Sequence, residues 1–300
     1  MAAHPGTVVV AVNPMASFGH RREVGPLVVE RLREAGHTVV AVDEANIELL
    51  RRETARAVAA GAGALVVVGG DGMANLGINI VAETTVPLGI VPSGTGNDLA
   101  DGLGIPVGDT DAAIAHLLAA LGREPRTIDA GVVRHGGLST WFGAVLSAGF
   151  DATVNERANH MTRPRGRSRY ILALLRELAT LAPRPYRLVV DGETIETEAM
   201  LVSVANNRSL GGGMRIVPHA ALDDGRLDLF VVRRMSRLRF LRLFPTVFRG
   251  EHTDLPEVSF HSVSTVRLDA EGVVVYADGE RIGPLPVDVS VVPGALRVLA

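Results

Sequence analysis

Residues 65–77 read LVVVGGDGMANLG. An apolar, β-branched run stops at Gly69-Gly70-Asp71-Gly72, and the stretch from Met73 to about Val81 has the pattern of a helix. A strand that ends in glycines ahead of a helix N-terminus leaves backbone N–H groups aimed at whatever sits there, which makes an anion site. Asp71 is chemically unexpected in such a cradle. A carboxylate repels phosphate unless a divalent cation lies between them, so its presence predicts Mg²⁺. The plainer account is a glycine-rich turn whose aspartate caps the helix. Taken by itself, the stretch leaves both accounts open.

Residues 87–100, PLGIVPSGTGNDLA, repeat the arrangement, with a short apolar strand running into Gly94, Thr95, Gly96, Asn97 and Asp98. Two such loops at the carboxyl ends of consecutive βα units lie side by side in a parallel sheet, where open α/β sheets bind their ligands.

The elements that must position these loops are legible as patterns. Strands are expected at 7–12 and 38–42, and helices at 24–35, 45–60 and 111–121. This βαβα order predicts a parallel, doubly wound sheet. The first strand ends in Asn13-Pro14-Met15-Ala16-Ser17-Phe18-Gly19-His20 and lacks a Gly-x-Gly-x-x-Gly fingerprint, which argues against an ordinary NAD-binding domain. Beyond residue 126 the texture changes to short alternating runs at 131–134, 138–147, 187–190, 194–204, 226–232, 263–268 and 273–277. Turn signals such as Asp191-Gly192 and Asp224-Gly225 separate them, and together they predict an antiparallel β-sandwich with the domain boundary near residue 130. Two helical patterns interrupt the β texture. One, at 169–181, comes after the basic loop 163–169. The other, at 238–248, carries Arg237, Arg239, Arg242 and Arg249 among Leu, Phe and Val. Such a segment suits either an anionic membrane surface or a solvated arginine face over a core-packing helix.

Composition removes whole classes of chemistry. All 30 basic residues are Arg, so a P-loop lysine and a Schiff-base lysine are excluded. The absence of Cys excludes disulfides, Cys-ligated zinc and thiol nucleophiles. A net charge of −3 argues against general nucleic-acid binding. No apolar run approaches the roughly 20 residues of a membrane span, and MAAHPGTVVV does not read as a signal peptide. The expected location is the cytoplasm, with any lipid met from the surface. Exposed strand edges in a β domain leave a homodimer open.

The two glycine loops, Gly69-Gly70-Asp71-Gly72 and Pro92-Ser93-Gly94-Thr95-Gly96-Asn97-Asp98, precede a series of further short motifs. These are Gly149-Phe150-Asp151-Ala152, Asn206-Asn207, Gly211-Gly212-Gly213, Pro218-His219-Ala220, Asp223-Asp224-Gly225-Arg226-Leu227-Asp228 and Asp278-Gly279-Glu280. In this order, over nearly the whole chain, they resemble the bacterial diacylglycerol kinase family, which includes sphingosine kinases. The resemblance implies an α/β nucleotide-binding domain over 1–130 of the NAD-kinase and phosphofructokinase kind. It implies a β-sandwich lipid-substrate domain over 131–286, and a return of residues 287–300 to the first domain. The activity implied is ATP- and Mg²⁺-dependent transfer of the γ-phosphate to the hydroxyl of diacylglycerol or a related lipid, in phospholipid biosynthesis, with transient contact at the inner membrane face.

Carried over residue by residue, the nucleotide site would comprise Asn13, Gly69, Gly70, Asp71, Gly72, Met73, Asn75, Gly94, Thr95, Asn97 and Asp98. Asp71 would meet the catalytic Mg²⁺ through a phosphate or a water. Asp98 and Asp129 are further acidic positions that the family places near the metal network, and Glu280 would be the general base. A second, structural Mg²⁺ would be held by the Asp224 carboxylate and the carbonyls of Ala221 and Arg226. The sequence departs from the family in placing Phe18 between Ser17 and Gly19, and Met73 where a threonine usually comes after Gly-Gly-Asp-Gly. Met cannot offer the hydroxyl that Thr would give, so a catalytically inactive lipid- or nucleotide-binding protein is one alternative. An NAD-kinase-like small-molecule kinase is the other, since those enzymes share Gly-Gly-Asp-Gly.

Overall fold

The computed structural model describes residues 6–12, 23–44, 46–149, 154, 161, 172–173, 176–177, 182–211 and 213–300. The Asn13 turn, Phe150-Asp151-Ala152, the basic loop 163–169 and most of the helix expected at 169–181 lie outside the described residues. The chain divides into two compact units: Met1–Ile128 with Gly294–Ala300, and Asp129–Pro293.

The first unit is a parallel sheet built from β1 (Thr7–Val12), β2 (Val39–Val42), β3 (Ala62–Gly69) and β4 (Leu88–Pro92), in the order β4-β3-β1-β2. The chain's last residues join it, with Val298 beside Leu88 in parallel. The sheet is buried on both faces, which is why its strands read as unbroken Val, Ile and Leu runs. One face packs on α1 (Val24–Glu34) and α5 (Thr110–Leu121) through Val28, Leu32, Ile114 and Leu117 against Val8, Val10 and Val66. Between β3 and β4 lies α3 (Asp71–Val81). Its Gly77 sits so close to Leu88 and Val67 that a Cβ there would overlap both side chains. The remaining helices are α2 (Ile47–Ala59), whose N-cap Asn46 accepts from Leu49 N–H, and the short α4 (Asp98–Gly102).

The second unit is an antiparallel β-sandwich. Its strands are β5 (Arg126–His135), β6 (Leu138–Phe142), β7 (Val145–Gly149), β8 (Arg184–Val190), β9 (Glu193–Ala205), β10 (Leu227–Arg233), β11 (Val258–Val263), β12 (Thr265–Asp269), β13 (Val274–Ala277), β14 (Glu280–Pro284) and β15 (Val287–Val298). The long β9 pairs with β8 through its first half and with both β7 and β10 through its second. Phe142, Leu146, Val202, Leu227, Val263 and Val275 are among the side chains filling the core. The expected single strand at 138–147 is two, broken at Gly143-Ala144, and Val258–Val263 is a strand that the patterns did not show. The helical pattern at 238–248 is α6 (Arg237–Leu243) continued by a 3₁₀ turn over Phe244–Phe248, where Pro245 ends the α-helical bonding. The hairpins β8–β9 and β13–β14 turn on Asp191-Gly192 and Asp278-Gly279. All four residues have positive φ, as two-residue hairpin loops of this kind require.

Candidate active site

In the first unit α3 begins at Asp71, two residues earlier than its apolar pattern suggests, because Gly70 O accepts from both Met73 N–H and Ala74 N–H. Asp71 does not cap the preceding turn. Its carboxylate reaches the second glycine loop, where Oδ2 accepts from Asn97 N–H at 2.8 Å and Oδ1 from Asp98 N–H at 2.7 Å. A carboxylate at the N-terminal end of α4 satisfies donors that the helix leaves unpaired. Burial nonetheless pushes the Asp71 pKa above the usual carboxylate value, against the lowering effect of these N–H groups.

The second loop is closed by its own side chain. Asn97 sits in the left-handed region at φ 64°, which an Asn tolerates better than most residues. Its Oδ1 accepts from Gly94 N–H at 2.9 Å, and its Nδ2 donates to Gly94 O at 3.2 Å. Ser93 N–H donates to Gly69 O, which ties the two loops together a second time. They touch through glycine. A Cβ on Gly70 would lie 2.9 Å from Gly94 Cα, and one on Gly96 would overlap Asp71 Oδ2. Met73 and Asn75, at 2% and 3% exposure, are buried in α3. Donors left without an acceptor among the described residues therefore include the N–H groups of Gly70, Gly72, Thr95 and Gly96 and the Thr95 hydroxyl. This is a narrower set than the whole 69–75 backbone, and clustered backbone N–H groups of this kind suit an anion.

In the second unit Asp129 and the Asp224 turn belong to one polar network with Asp278 and Asn206, and Glu280 stands outside it. The buried Asp278 takes N–H bonds from Gly143 (2.8 Å), Ala144 (2.9 Å) and Val145 (3.0 Å), pinning the β6–β7 connection to the β13–β14 hairpin. Asn206 Nδ2 donates to Gly143 O and to Asp129 O, both at 3.0 Å. Asp129 in turn accepts from Gly225 N–H at 2.6 Å, which fixes the Asp223-Asp224-Gly225 turn. Asp224 Oδ1 accepts from Arg226 N–H at 3.0 Å. Burial raises the pKa of Asp228, and the Asp224 charge adds to that rise while His219 opposes it. Glu280 does not stand in the turn, as its sequence position suggested. It opens β14, opposite Ala277, and is exposed. Asp278 is a residue to which its sequence motif assigns no role, and only its three bonds reveal one.

A pocket of about 670 Å³ of empty space, part of it open to solvent, lies in the same unit. Leu201, Phe230, Phe240, Phe244 and Val247 are among its walls, and His252 is the one ionisable side chain on it among the described residues. His252 is buried, and its Nε2 donates to Ile216 O at 2.8 Å. That leaves Nδ1 as an acceptor without a partner among the described residues. Burial pushes its pKa down, so the ring is neutral. Sequence patterns placed apolar residues in this domain but could not show that α6 and its 3₁₀ continuation roof a cavity.

No helix among the described residues is long and apolar enough to cross a membrane. Residues 7–133 match the diacylglycerol kinase catalytic domain, and residues 144–300 match the YegS C-terminal NAD kinase beta sandwich-like domain. A diacylglycerol kinase of Mycobacterium tuberculosis (strain ATCC 25618 / H37Rv) is 42% identical over 296 residues, covering 98% of this chain and 95% of the relative. The crystal structure of a diacylglycerol kinase from Bacillus anthracis has the same fold, with a TM-score of 0.74 at 20% identity, over 98% of this chain and 96% of that one. A more distant likeness is an NAD kinase from Archaeoglobus fulgidus solved in complex with ATP, with a TM-score of 0.54 at 11% identity over 98% and 93% of the two chains. With one half matching the catalytic domain and the other the sandwich, the chain belongs to the diacylglycerol kinase family of lipid kinases, phosphotransferases whose acceptor is an alcohol.

Proposed function

We propose that this chain transfers the γ-phosphate of ATP to the hydroxyl of diacylglycerol or a closely related lipid, in the cytoplasm and at the inner membrane face. The observation that carries the lipid assignment is the pocket of the second unit, whose walls among the described residues are apolar apart from His252. It suits acyl chains and offers little to a nucleotide or a sugar. The glycine loops of the first unit carry the nucleotide assignment. Gly72, Thr95 and Gly96 supply N–H donors for phosphate oxygens, and Asp71 holds the two loops in register.

Magnesium bound with the nucleotide would offset the charge that develops on the transferring phosphoryl group. Both Asp71 oxygens already accept main-chain N–H bonds, so this carboxylate fits a link to the ion through phosphate or water better than direct ligation. Asp224 keeps Oδ2 without a partner among the described residues, and its charge is felt by Asp228. That carboxylate, with the carbonyls of Ala221 and Arg226, would supply an oxygen set of the kind Mg²⁺ prefers. Glu280 is the base in this reading. It is exposed, and it stands on the hairpin that Asp278 anchors.

The test is transfer of labelled γ-phosphate from ATP to diacylglycerol, monoacylglycerol, sphingosine, ceramide and NAD in mixed micelles, with Mg²⁺ and with chelator. Metal-dependent label in a glycerolipid is expected. Label in NAD alone, or in no acceptor although ATP binds, would overturn the proposal.

A further inference from the structure

Residues 233–250 contain six arginines and no acidic residue, in a chain whose net charge is −3. Within this stretch α6 and the 3₁₀ turn after it are apolar on two sides. Phe240, Leu243, Phe244 and Val247 face the pocket. Away from it, Leu238 is 81% exposed, Leu241 42% and Phe248 44%. A surface helix over a core ordinarily carries polar residues on its outer side. Here three of the seven large apolar side chains exposed among the described residues lie within eleven positions, while Val40, Ile47, Val107 and Leu138 are scattered elsewhere. The arginines stand among them. Arg239 pairs with Glu257, Arg249 with Glu251 and Arg234 with Glu198, whereas Arg242 has no carboxylate within ion-pair reach among the described residues.

We infer that α6 and its 3₁₀ continuation form a bilayer-docking element, with Leu238 and Leu241 inserted among acyl chains and the arginines at the level of anionic headgroups. The charge selects the partner. In a two-fold contact between two copies of this chain the same arginines would face each other, so like-charge repulsion opposes self-association through this surface. An anionic phospholipid surface accepts both halves of the pattern, the leucines in its apolar layer and the guanidinium groups at its phosphates. The inference rests on the lipid-kinase reading in one respect. The docking element is also the roof of the apolar pocket, so the surface that meets the bilayer is the outer side of the wall behind which a lipid's chains would lie.

The test uses the full chain and vesicles of two compositions, pure phosphatidylcholine and equal parts phosphatidylcholine and phosphatidylglycerol. Wild type should co-sediment with the anionic vesicles and much less with the neutral ones. Leu238→Asp/Leu241→Asp, at two exposed positions outside the pocket lining, should lower partitioning by at least ~10-fold, and Arg242→Ala by about 5-fold. Phosphorylation of a short-chain diacylglycerol, dispersed below its aggregation concentration, should be unchanged in both variants. Variants that bind anionic vesicles as wild type does would overturn the inference. So would a wild type that binds neither vesicle, or a double variant whose sedimentation velocity shows that a dimer has been lost. Loss of vesicle binding in a protein that phosphorylates no lipid would support the docking element while removing the kinase reading, so the two failures are distinct.

Discussion

Asp71 and Asp98 are joined by a bond in which the first glycine loop supplies the acceptor and the second supplies the donor. The Asp98 main-chain N–H lies 2.7 Å from Asp71 Oδ1, and its neighbour Asn97 lies 2.8 Å from Oδ2. The second loop thus takes its position from a side chain at the first residue of α3, some 27 residues earlier in the chain. Its own closure, Asn97 to Gly94, sets only its internal shape.

Asp71→Asn should therefore act through geometry. An amide can accept from only one of the two N–H groups and presents a donor to the other. Hydrogen bonds to charged groups contribute about 1.5–3 kcal/mol, so the loops should separate locally while the rest of the unit stays folded. Turnover should drop by ~100-fold or more, the scale expected when a positioning element shifts by about 1 Å. Hydrogen exchange of the Asn97 and Asp98 amides should quicken. Unchanged exchange together with lost turnover would show that Asp71 serves the reaction directly and not as a loop clamp.

The same carboxylate sets a pH dependence. Burial raises its folded-state pKa above 3.8. The folded chain then holds the proton more tightly than the unfolded chain. This titration adds stability on the acid side and loses it as pH rises through the folded pKa. Protonation nevertheless removes an acceptor from the clamp. ATP affinity should weaken on acidification at a pH above the ordinary carboxylate value, without an accompanying loss of melting temperature from this group. Calorimetric titration of ATP across pH, paired with thermal melts, checks this, and Asp71→Asn should flatten the acid limb.

The features legible in the sequence are those that local forces set. The parallel strands are buried on both faces, so their Val and Ile runs announce them, and the glycine loops declare themselves by composition. The antiparallel unit was legible as a texture but not strand by strand. The break at Gly143-Ala144 depends on Asp278, some 135 residues away, accepting three N–H groups there. The clamp role of Asp71 and the strand position of Glu280 also depend on partners distant in sequence or across a hairpin. Neither leaves a local pattern. The pocket roof was visible only as an arginine-rich amphipathic stretch, because its apolar residues serve two surfaces.

The Asp224 turn predicts a metal response. Asp129 and Arg226 N–H hold the turn, while Asp224 Oδ2 is uncommitted among the described residues. A ligand that binds only the folded state raises the melting temperature with its concentration. Added Mg²⁺ should raise the wild-type melting temperature in the absence of nucleotide, and Asp224→Asn should abolish that rise without moving the metal-free value. A rise that persists in Asp224→Asn would place the stabilising ion elsewhere.

Asp278 and Glu280 stand two residues apart on one hairpin and should respond to amide substitution in opposite ways. Asp278 is buried and accepts from three main-chain donors, so Asp278→Asn leaves at least one donor unpaired in the interior. The expected cost is about 2–3 kcal/mol, which corresponds to a fall in melting temperature of roughly 4–12 °C in a chain of this size. Glu280 is exposed and its carboxylate is bonded to nothing among the described residues, so Glu280→Gln should leave the melting temperature where it is. If it takes the proton from the acceptor hydroxyl, turnover should fall by about 10²–10⁴-fold with ATP affinity retained, since the nucleotide donors belong to the first unit. Equal losses in turnover and ATP affinity would make Glu280 a binding residue instead.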